Sequence, residues 1–445
     1  MKSGGAIKGS GGAVLALAVA ALMPASPAAA DAPKQKPSKL NPVVFVHGFV
    51  GSGAQFESQQ MRFTSNGYPQ RLISVLEYDS TFALNTREQV YAKLDALITR
   101  ATRRSGRPKV DVLGHSIGTS IMQDYLATPE RAARVAHYVN IDGRTAAAPP
   151  GGVATLALWA GVGTPGRTIA GAANVTIPNQ THVQVATSAE SFAQIYRFLR
   201  GRRPDTTRIA RTKGDRVSVA GRAVLFPQNA GAQNATLTVW KLRAASGKRA
   251  GRRPAARKRL SGNGSWGPFK LERGARYEFA ISRSTGTHHL YYEPFQHDDH
   301  LVRLLTTEPN TGLDALTEKS DRHAVLVVTR NKELWGDQGA ANDVLTINGT
   351  NVVNAATSPQ SKRTIGMFAF DAGADGQNNL SAPLPAFFSL PFISGVDLAI
   401  PASRPPDGRI SIRLRSRGRG RVRAISIPNL PSSTDRISVQ LNDFE

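Results

Sequence analysis

The chain has 445 residues, 40% of them hydrophobic, with a formal net charge of +24 and no cysteine. That length suggests two or three domains, and the missing cysteines exclude disulfides, a thiolate metal site and a cysteine nucleophile. The basic surplus bears on solubility and anionic partners rather than on fold. It falls in both halves, with 20 Lys/Arg against 11 Asp/Glu in residues 1–200 and 36 against 21 in residues 201–445.

At the start, Lys2 and Lys8 precede the apolar run GGAVLALAVAALM (11–23), and ASPAAA follows. A basic start, an apolar segment of about a dozen residues and an Ala-x-Ala site have the form of a secretory signal peptide. Residues 1–30 are therefore expected to be removed after Ala30 and the protein to be exported from a bacterial cell. A retained membrane anchor fits less well, because the run is short. Further on, no apolar stretch approaches the roughly 18 residues that span a bilayer, so no transmembrane segment is expected in the mature chain.

Residues 31–203 read as one domain. After a polar, Pro-rich leader, VVFVHGF (43–49) is a continuous apolar run, as in a strand buried on both faces of a parallel sheet. AQFESQQMRFTSN is helix-like, LISVLEY (72–78) strand-like, and TREQVYAKLDALITRATRR (86–104) places Val90, Leu94, Leu97, Ile98 and Ala101 on one helical face. KVDVL (109–113) is a strand and IGTSIMQDYLAT a helix. VAHYVNID (135–142), TLALWAG (155–161) and NVTIP (174–178) are strands, and SAESFAQIYRFLRG (188–201) is a closing helix capped by Ser188. The alternation predicts a doubly wound α/β domain.

Within it lies GHSIG, residues 114–118. A serine hydroxyl is a poor nucleophile without a base and a place for the developing oxyanion. A sharp strand-to-helix turn with glycines on both sides supplies the second, because it lifts the serine above the sheet and aims a helix N-terminus at it. The bare motif is weak in a chain with 41 glycines, but here a strand precedes it and a helix follows it. Ser116 is therefore the candidate nucleophile, and the Ile117 N–H one oxyanion donor. His47-Gly48-Phe49 follows an earlier strand, and the Phe49 N–H is the second donor, with His47 shaping the loop. The competing reading of that loop is a plain glycine turn.

The base should follow the serine in the chain. His137 lies inside a strand, where a packed histidine is the better reading. His182, in the loop PNQTHVQVATS, is the candidate base. The orienting acid is harder to place. The strand TLALWAG runs into VGTPGRT without a carboxylate, whereas YVNIDG puts Asp142 at a strand tip, between serine and histidine in the chain. Asp142 is the candidate acid and Asp79, after EY, the alternative. Asp111 and Asp124 lie in the elbow strand and on the helix flank, out of reach.

These stretches resemble the lipase branch of the α/β-hydrolase superfamily, in particular the Archaeoglobus-type carboxylesterase-lipases with a β-rich C-terminal domain. The motifs that carry the resemblance are VVFVHGF, SGAQFESQQMRFTSNGYP, GHSIG, YVNIDG and THVQVATS, all between residues 42 and 200; further on it rests on architecture. The resemblance implies an α/β-hydrolase fold, carboxylic ester hydrolysis by Ser116, Asp142 and His182 with Phe49 and Ile117 at the oxyanion, no cofactor or metal, and a β domain that helps to bind lipid. The HGF loop lacks the glycine run of some esterases, so their substrate preferences do not transfer.

From residue 204 the texture changes. DRVSVAGRAVLF, ATLTVWKLRA, ARYEFAISRS, HAVLVVTRN, DVLTING, GRISIRLRS and RISVQLNDF alternate in polarity between Gly, Asn, Asp and Pro. That pattern predicts all-β sandwich or barrel modules, one over 204–305 and one over 306–445. FQHDDH (295–300) invites a metal reading, but a polar loop suits it better. KLRAASGKRAGRRPAARKR (241–259) holds nine Lys/Arg and no acid, and reads as a mobile loop or insertion. RLRSRGRGRVR sets Arg413, Arg415, Arg417, Arg419, Arg421 and Arg423 at period two, one face of a ribbon if extended. Such a face suits a lipid interface or an anionic polymer, with a merely solvated basic surface as the equal alternative. Export and the lack of a recognised motif argue against nucleic acid. The expectation is thus a secreted serine lipase or esterase. The same triad would also serve a polyester depolymerase or a serine amidase. The rival of another class is a polyanion- or surface-binding protein on a hydrolase scaffold.

Overall fold

A computed structural model describes residue 1, residues 39–418 and residues 420–444 of the chain. The signal peptide with its cleavage after Ala30, and Arg419, lie outside the described residues. Among those described, no helix is long and apolar enough to cross a membrane.

The apolar runs of the first half form the strands β1 (Val43–Val46), β2 (Ile73–Leu76), β3 (Val110–His115), β4 (Val135–Ile141), β5 (Ala154–Ala160) and β6 (Ala173–Ile177). They lie in the order β2-β1-β3-β4-β5-β6, every pair parallel. Crossover helices cover both faces: α1 (Glu57–Ser65), α2 (Arg87–Ser105), α3 (Ile117–Leu126), the short α4 (Pro129–Ala132) and α5 (Gln184–Thr187), and α6 (Ala189–Arg200). Alternation along β1 sorts its side chains. Val43 and Phe45 join Phe63 of α1 and Phe192 and Ile195 of α6 in one core, and Val44 and Val46 join Leu94 of α2 and Ile121 of α3 in the other. Phe45 stacks on Phe56 at 4.5 Å between ring centroids, and truncating so buried an aromatic ring costs about 3–5 kcal/mol. The ends of the helices are also written in the sequence. Thr86 and Gln89 form a capping box at the head of α2, Gly106 ends it in the left-handed conformation, and the Ser188 hydroxyl accepts the Ser191 N–H at the head of α6.

The second half is β-rich. It holds β7 (Arg216–Leu225), β8 (Ala230–Gly231), β9 (Ala235–Leu242), β10 (Ala256–Leu260), β11 (Ser265–Glu272), β12 (Arg276–Arg283), β13 (Gly286–Tyr292) and β14 (Asp299–Thr306). These are followed by β15 (Leu326–Arg330), β16 (Val344–Ile347), β17 (Thr350–Asn351), β18 (Gly366–Phe370), β19 (Ile393–Asp397), β20 (Arg409–Arg415), β21 (Val422–Pro428) and β22 (Asp435–Leu441). One eight-stranded sheet runs β10-β9-β12-β13-β22-β15-β18-β19, so the last strand of the chain pairs in parallel with both β13 and β15. A sheet with the order β11-β7-β14 covers one end of it, and a four-stranded sheet β17-β16-β20-β21 the other. Separate cores fill the two spaces between sheets.

Three readings of the basic and polar stretches are corrected. Residues 241–259 are not simply a mobile insertion: 256–260 pair with β9 as the edge strand β10, and Arg249 forms an ion pair with Glu278 at 2.8 Å and stacks 4.4 Å over Trp240. The arginines at period two do not share one ribbon face. Arg413 and Arg415 point outward from β20, but the chain then turns into β21, and Arg417 is buried against Asp343. FQHDDH is only partly loop. Asp299 and His300 open β14, and Asp298 accepts the Ser218 N–H at 2.7 Å.

Candidate active site

Ser116 stands where β3 breaks into α3, with φ 55° and ψ −125°. A non-glycine residue rarely adopts such a backbone, and it persists only when the surroundings enforce it. The flanking glycines do so. A Cβ on Gly114 would lie 2.7 Å from the Gly118 carbonyl oxygen, and one on Gly118 would lie 2.4 Å from the Val46 oxygen. Strand, turn and helix therefore close upon one another only with glycine at both places.

The first loop lies directly against this turn. A Cβ on Gly48 would come within 3.0 Å of the Ser116 Cβ, so the backbone at Phe49 runs beside Ser116, and Phe49 lines the same cavity. His47 is fully buried, stacked on Tyr78 at 4.4 Å, and its carbonyl accepts the Tyr78 hydroxyl at 2.8 Å. Burial lowers its pKa, as suits a residue that shapes a loop.

His182 lines the cavity together with Ser116. Its Nδ1 lies 2.6 Å from Asp142 Oδ2. That bond fixes the tautomer with the proton on Nδ1 and leaves Nε2 as the basic nitrogen. Asp142 sits at the tip of β4 with φ 46°, 4% exposed. Burial opposes its ionisation, yet the His182 ring, the Ala160 N–H and the Arg167 guanidinium hold its carboxyl down to about 2. Ser116 and His182 thus line one cavity with Asp142 behind the His182 ring, and the Ile117 N–H begins the helix behind the serine. The alternative acid is elsewhere. Asp79 accepts the Thr81 hydroxyl at 2.6 Å and the Leu84 N–H at 2.8 Å inside its own turn. Asp111 pairs with His137 at 2.8 Å, and Asp124 with Arg87 and Arg144.

Four residues around this centre escaped the sequence reading. His115 is buried beside Ser116, and its Nε2 donates to the His182 carbonyl at 2.8 Å while its Nδ1 accepts from Gln55 Nε2 at 2.7 Å. Burial, and then the neighbouring His182 charge, push His115 down to about 3, so it remains neutral and ties the two loops together. Gln55 also accepts the Gly48 N–H, at 3.3 Å. Arg167, in the VGTPGRT stretch that holds no acid, pairs with the other oxygen of Asp142 and stacks 4.9 Å over Trp159. Phe392, from the β half, lies parallel to the His182 ring with centroids 6.1 Å apart. Only the position of His115 inside the elbow motif offered a signal in the sequence.

The cavity over Ser116 continues between the halves, where Phe226, Leu290, Leu305, Val327, Phe368 and Ile393 make its walls mainly apolar. Among the described residues no group of three or more His, Asp or Glu side chains is disposed to hold a metal ion.

A family model described as alpha/beta hydrolase fold matches residues 41–183, one of a lipase C-terminal domain matches residues 215–309, and a third, of another C-terminal domain, matches residues 312–445. The first half of the chain thus has the α/β-hydrolase fold, and the β-rich second half matches a lipase C-terminal domain over residues 215–309. Among solved structures, the chain is similar to the lin2722 gene product of Listeria innocua, at 12% identity over 38% of this chain and 97% of that one, with a TM-score of 0.29. It is also similar to carboxylesterase CesB of Bacillus subtilis, at 12% over 37% and 86%, TM-score 0.27. A dienelactone hydrolase of Anabaena variabilis matches at 17% over 36% and 88%, TM-score 0.24.

Proposed function

We propose that this hydrolase is an exported serine lipase or esterase that cleaves carboxylic esters, acylglycerols or other lipid esters among them. The observation that carries the reading is that Ser116 and His182 line one mainly apolar cavity, with His182 bonded from behind to the buried Asp142. His182 Nε2 takes the Ser116 proton as the hydroxyl oxygen attacks the ester carbonyl. The N–H groups of Phe49 and Ile117 hold the oxyanion, the alcohol leaves with the proton that His182 returns, and water releases the acid by the same steps. Asp142 holds the imidazole in its tautomer, and Arg167 holds Asp142. The apolar walls contributed by both halves suit an acyl chain. Export rests on the pattern of residues 1–30. Contact with an anionic lipid interface or polymer falls to the exposed Arg413 and Arg415; the charges of β10 stand on an edge strand, where such charges disfavour pairing with another chain.

The test is hydrolysis of p-nitrophenyl esters from C2 to C16 by the mature protein and by Ser116→Ala. Turnover that the variant loses is the expected result. A folded wild type that turns over no ester would sink this reading and favour a surface-binding protein, whose binding would survive Ser116→Ala.

A further inference from the structure

The loop that carries His182 is gripped from the far half of the chain. Glu333, in the segment after β15, is completely buried. Its carboxylate accepts the Val183 N–H at 2.6 Å, the Gln184 N–H at 3.3 Å and the Thr181 hydroxyl. These donors lie on both sides of His182 in sequence. A carboxylate without water needs such partners, and charge-assisted bonds of this kind are stronger and more directional than neutral ones.

Glu333 is itself fixed. Arg417 donates to the Glu333 carbonyl, to Asp343 at 2.7 Å and to Gln184 Oε1 at 3.2 Å, and its guanidinium lies 4.0 Å over the Trp335 ring. Asp343 also pairs with Arg330 at 3.0 Å, and Arg330 with Asp443 at 2.8 Å. The anchor therefore reaches Asp443, just past the last strand of the chain. From the hydrolase half, His115 holds the His182 carbonyl. The backbone of His182 is thus fixed from one side by the elbow and from the other by the β half.

We infer that Glu333 is a positioning residue for the general base, so that the β half completes the catalytic centre as well as walling the lipid cavity. This rests on the serine-hydrolase reading. If Glu333 sets where His182 Nε2 stands, its loss slows the chemical step alike for every acyl length. If it only joined the two halves, its loss would lower stability, or weaken long-chain binding, and leave the chemical step on a short ester unchanged.

The experiment compares full-length wild type, Glu333→Ala, Glu333→Gln, Thr181→Val and Ser116→Ala. Each is assayed for melting temperature, for kcat and KM on p-nitrophenyl acetate and palmitate, and for the rate at which a fluorophosphonate labels Ser116. A misplacement of about 1 Å can cost on the order of 100-fold, and that is the loss in kcat expected for Glu333→Ala on both esters, with KM unchanged. Glu333→Gln keeps one acceptor oxygen but turns an amide NH2 toward the remaining donors, so a roughly tenfold loss is expected. Thr181→Val should lose a few-fold. Labelling rates should fall in the same order. Should Glu333→Ala fail to fold, the other two variants decide. Folded Glu333→Gln and Thr181→Val with wild-type kcat and labelling, or a loss confined to KM on palmitate, would overturn the inference. If wild type cleaves no ester but is labelled at Ser116, the ester reading fails and the labelling rates still decide the role of Glu333. A folded wild type that is neither active nor labelled removes both.

Discussion

The loop bearing Ser116 and the loop bearing His182 face the same cavity, but they are held by different parts of the chain. The serine turn is closed by backbone against backbone inside the parallel sheet, where Gly114 and Gly118 meet each other and the end of β1. In the histidine loop the Val185 N–H bonds back to the Thr181 carbonyl at 3.0 Å, and the rest of the hold comes from side chains. The His182 ring is set by Asp142 and, behind that, Arg167, its carbonyl by His115, and the next two amides, of Val183 and Gln184, by Glu333 from the β half. A steric device holds Ser116 and a polar network holds His182, and the two should fail in different ways.

The largest effect should come from the polar side. Asp142→Asn leaves the shape but removes the acceptor that keeps the proton on Nδ1 of His182, so kcat should fall by on the order of 10⁴, measured on the best ester of the C2–C16 series. A loss of less than tenfold would mean that another acid orients His182. On the steric side, Gly118→Ala drives a methyl group against the Val46 and His47 carbonyls. Backbone atoms cannot yield as a flexible side chain can, and a destabilisation of about 3 kcal/mol is expected by urea unfolding. A wild-type midpoint would show that the turn has room the distances deny.

Acid should separate the two loops. His115 is held at about 3, below its ordinary value of 6.5, so the unfolded chain takes up a proton that the native protein refuses. Its contribution to stability is therefore lost as pH falls below about 6.5. Asp142 is held at about 2, below 3.8. What it contributes is present above about pH 4 and is lost only as pH falls towards 2. Unfolding free energies followed against pH should show wild type losing about 3 kcal/mol more than His115→Asn between pH 7 and 4, and roughly 2 kcal/mol more than Asp142→Asn between pH 4 and 2. Parallel curves in either window would mean that the residue is not buried in the ionisation state described.

The same contrast governs what could be read in advance. The parallel strands β1 to β5 are legible because each is a mainly apolar run, β6 (ANVTI) only weakly so, and the elbow because two glycines bracket a serine between strand and helix. Asp142 and His182 follow from order along the chain. Gln55, Arg167, Phe392 and Glu333 leave no local mark, since their roles exist only once loops distant in sequence meet. In the β half, alternation reveals β7, β9, β12 and β22. It hides β13, with HHLYY buried on both faces, and β18, whose GMFAF is wholly buried. The charge of residues 241–259 masks β10, and a hairpin breaks the period-two arginines at Arg417, which turns inward to Asp343.

The smallest expected effect tests the assignment of the acid by its rival. Asp79 holds together the turn after β2 by accepting from Thr81 and Leu84, and nothing links it to His182. Asp79→Asn keeps one acceptor oxygen and gives up charge-assisted bonds. It should therefore cost about 1 kcal/mol of stability and leave kcat and KM on every ester within twofold of wild type. Steady-state kinetics beside a urea melt will show whether these effects separate. A fall in kcat comparable to that of Asp142→Asn would move the orienting acid from the tip of β4 to the turn after β2. The polar network around His182 would then have to be redrawn, while the steric account of Ser116 would stand.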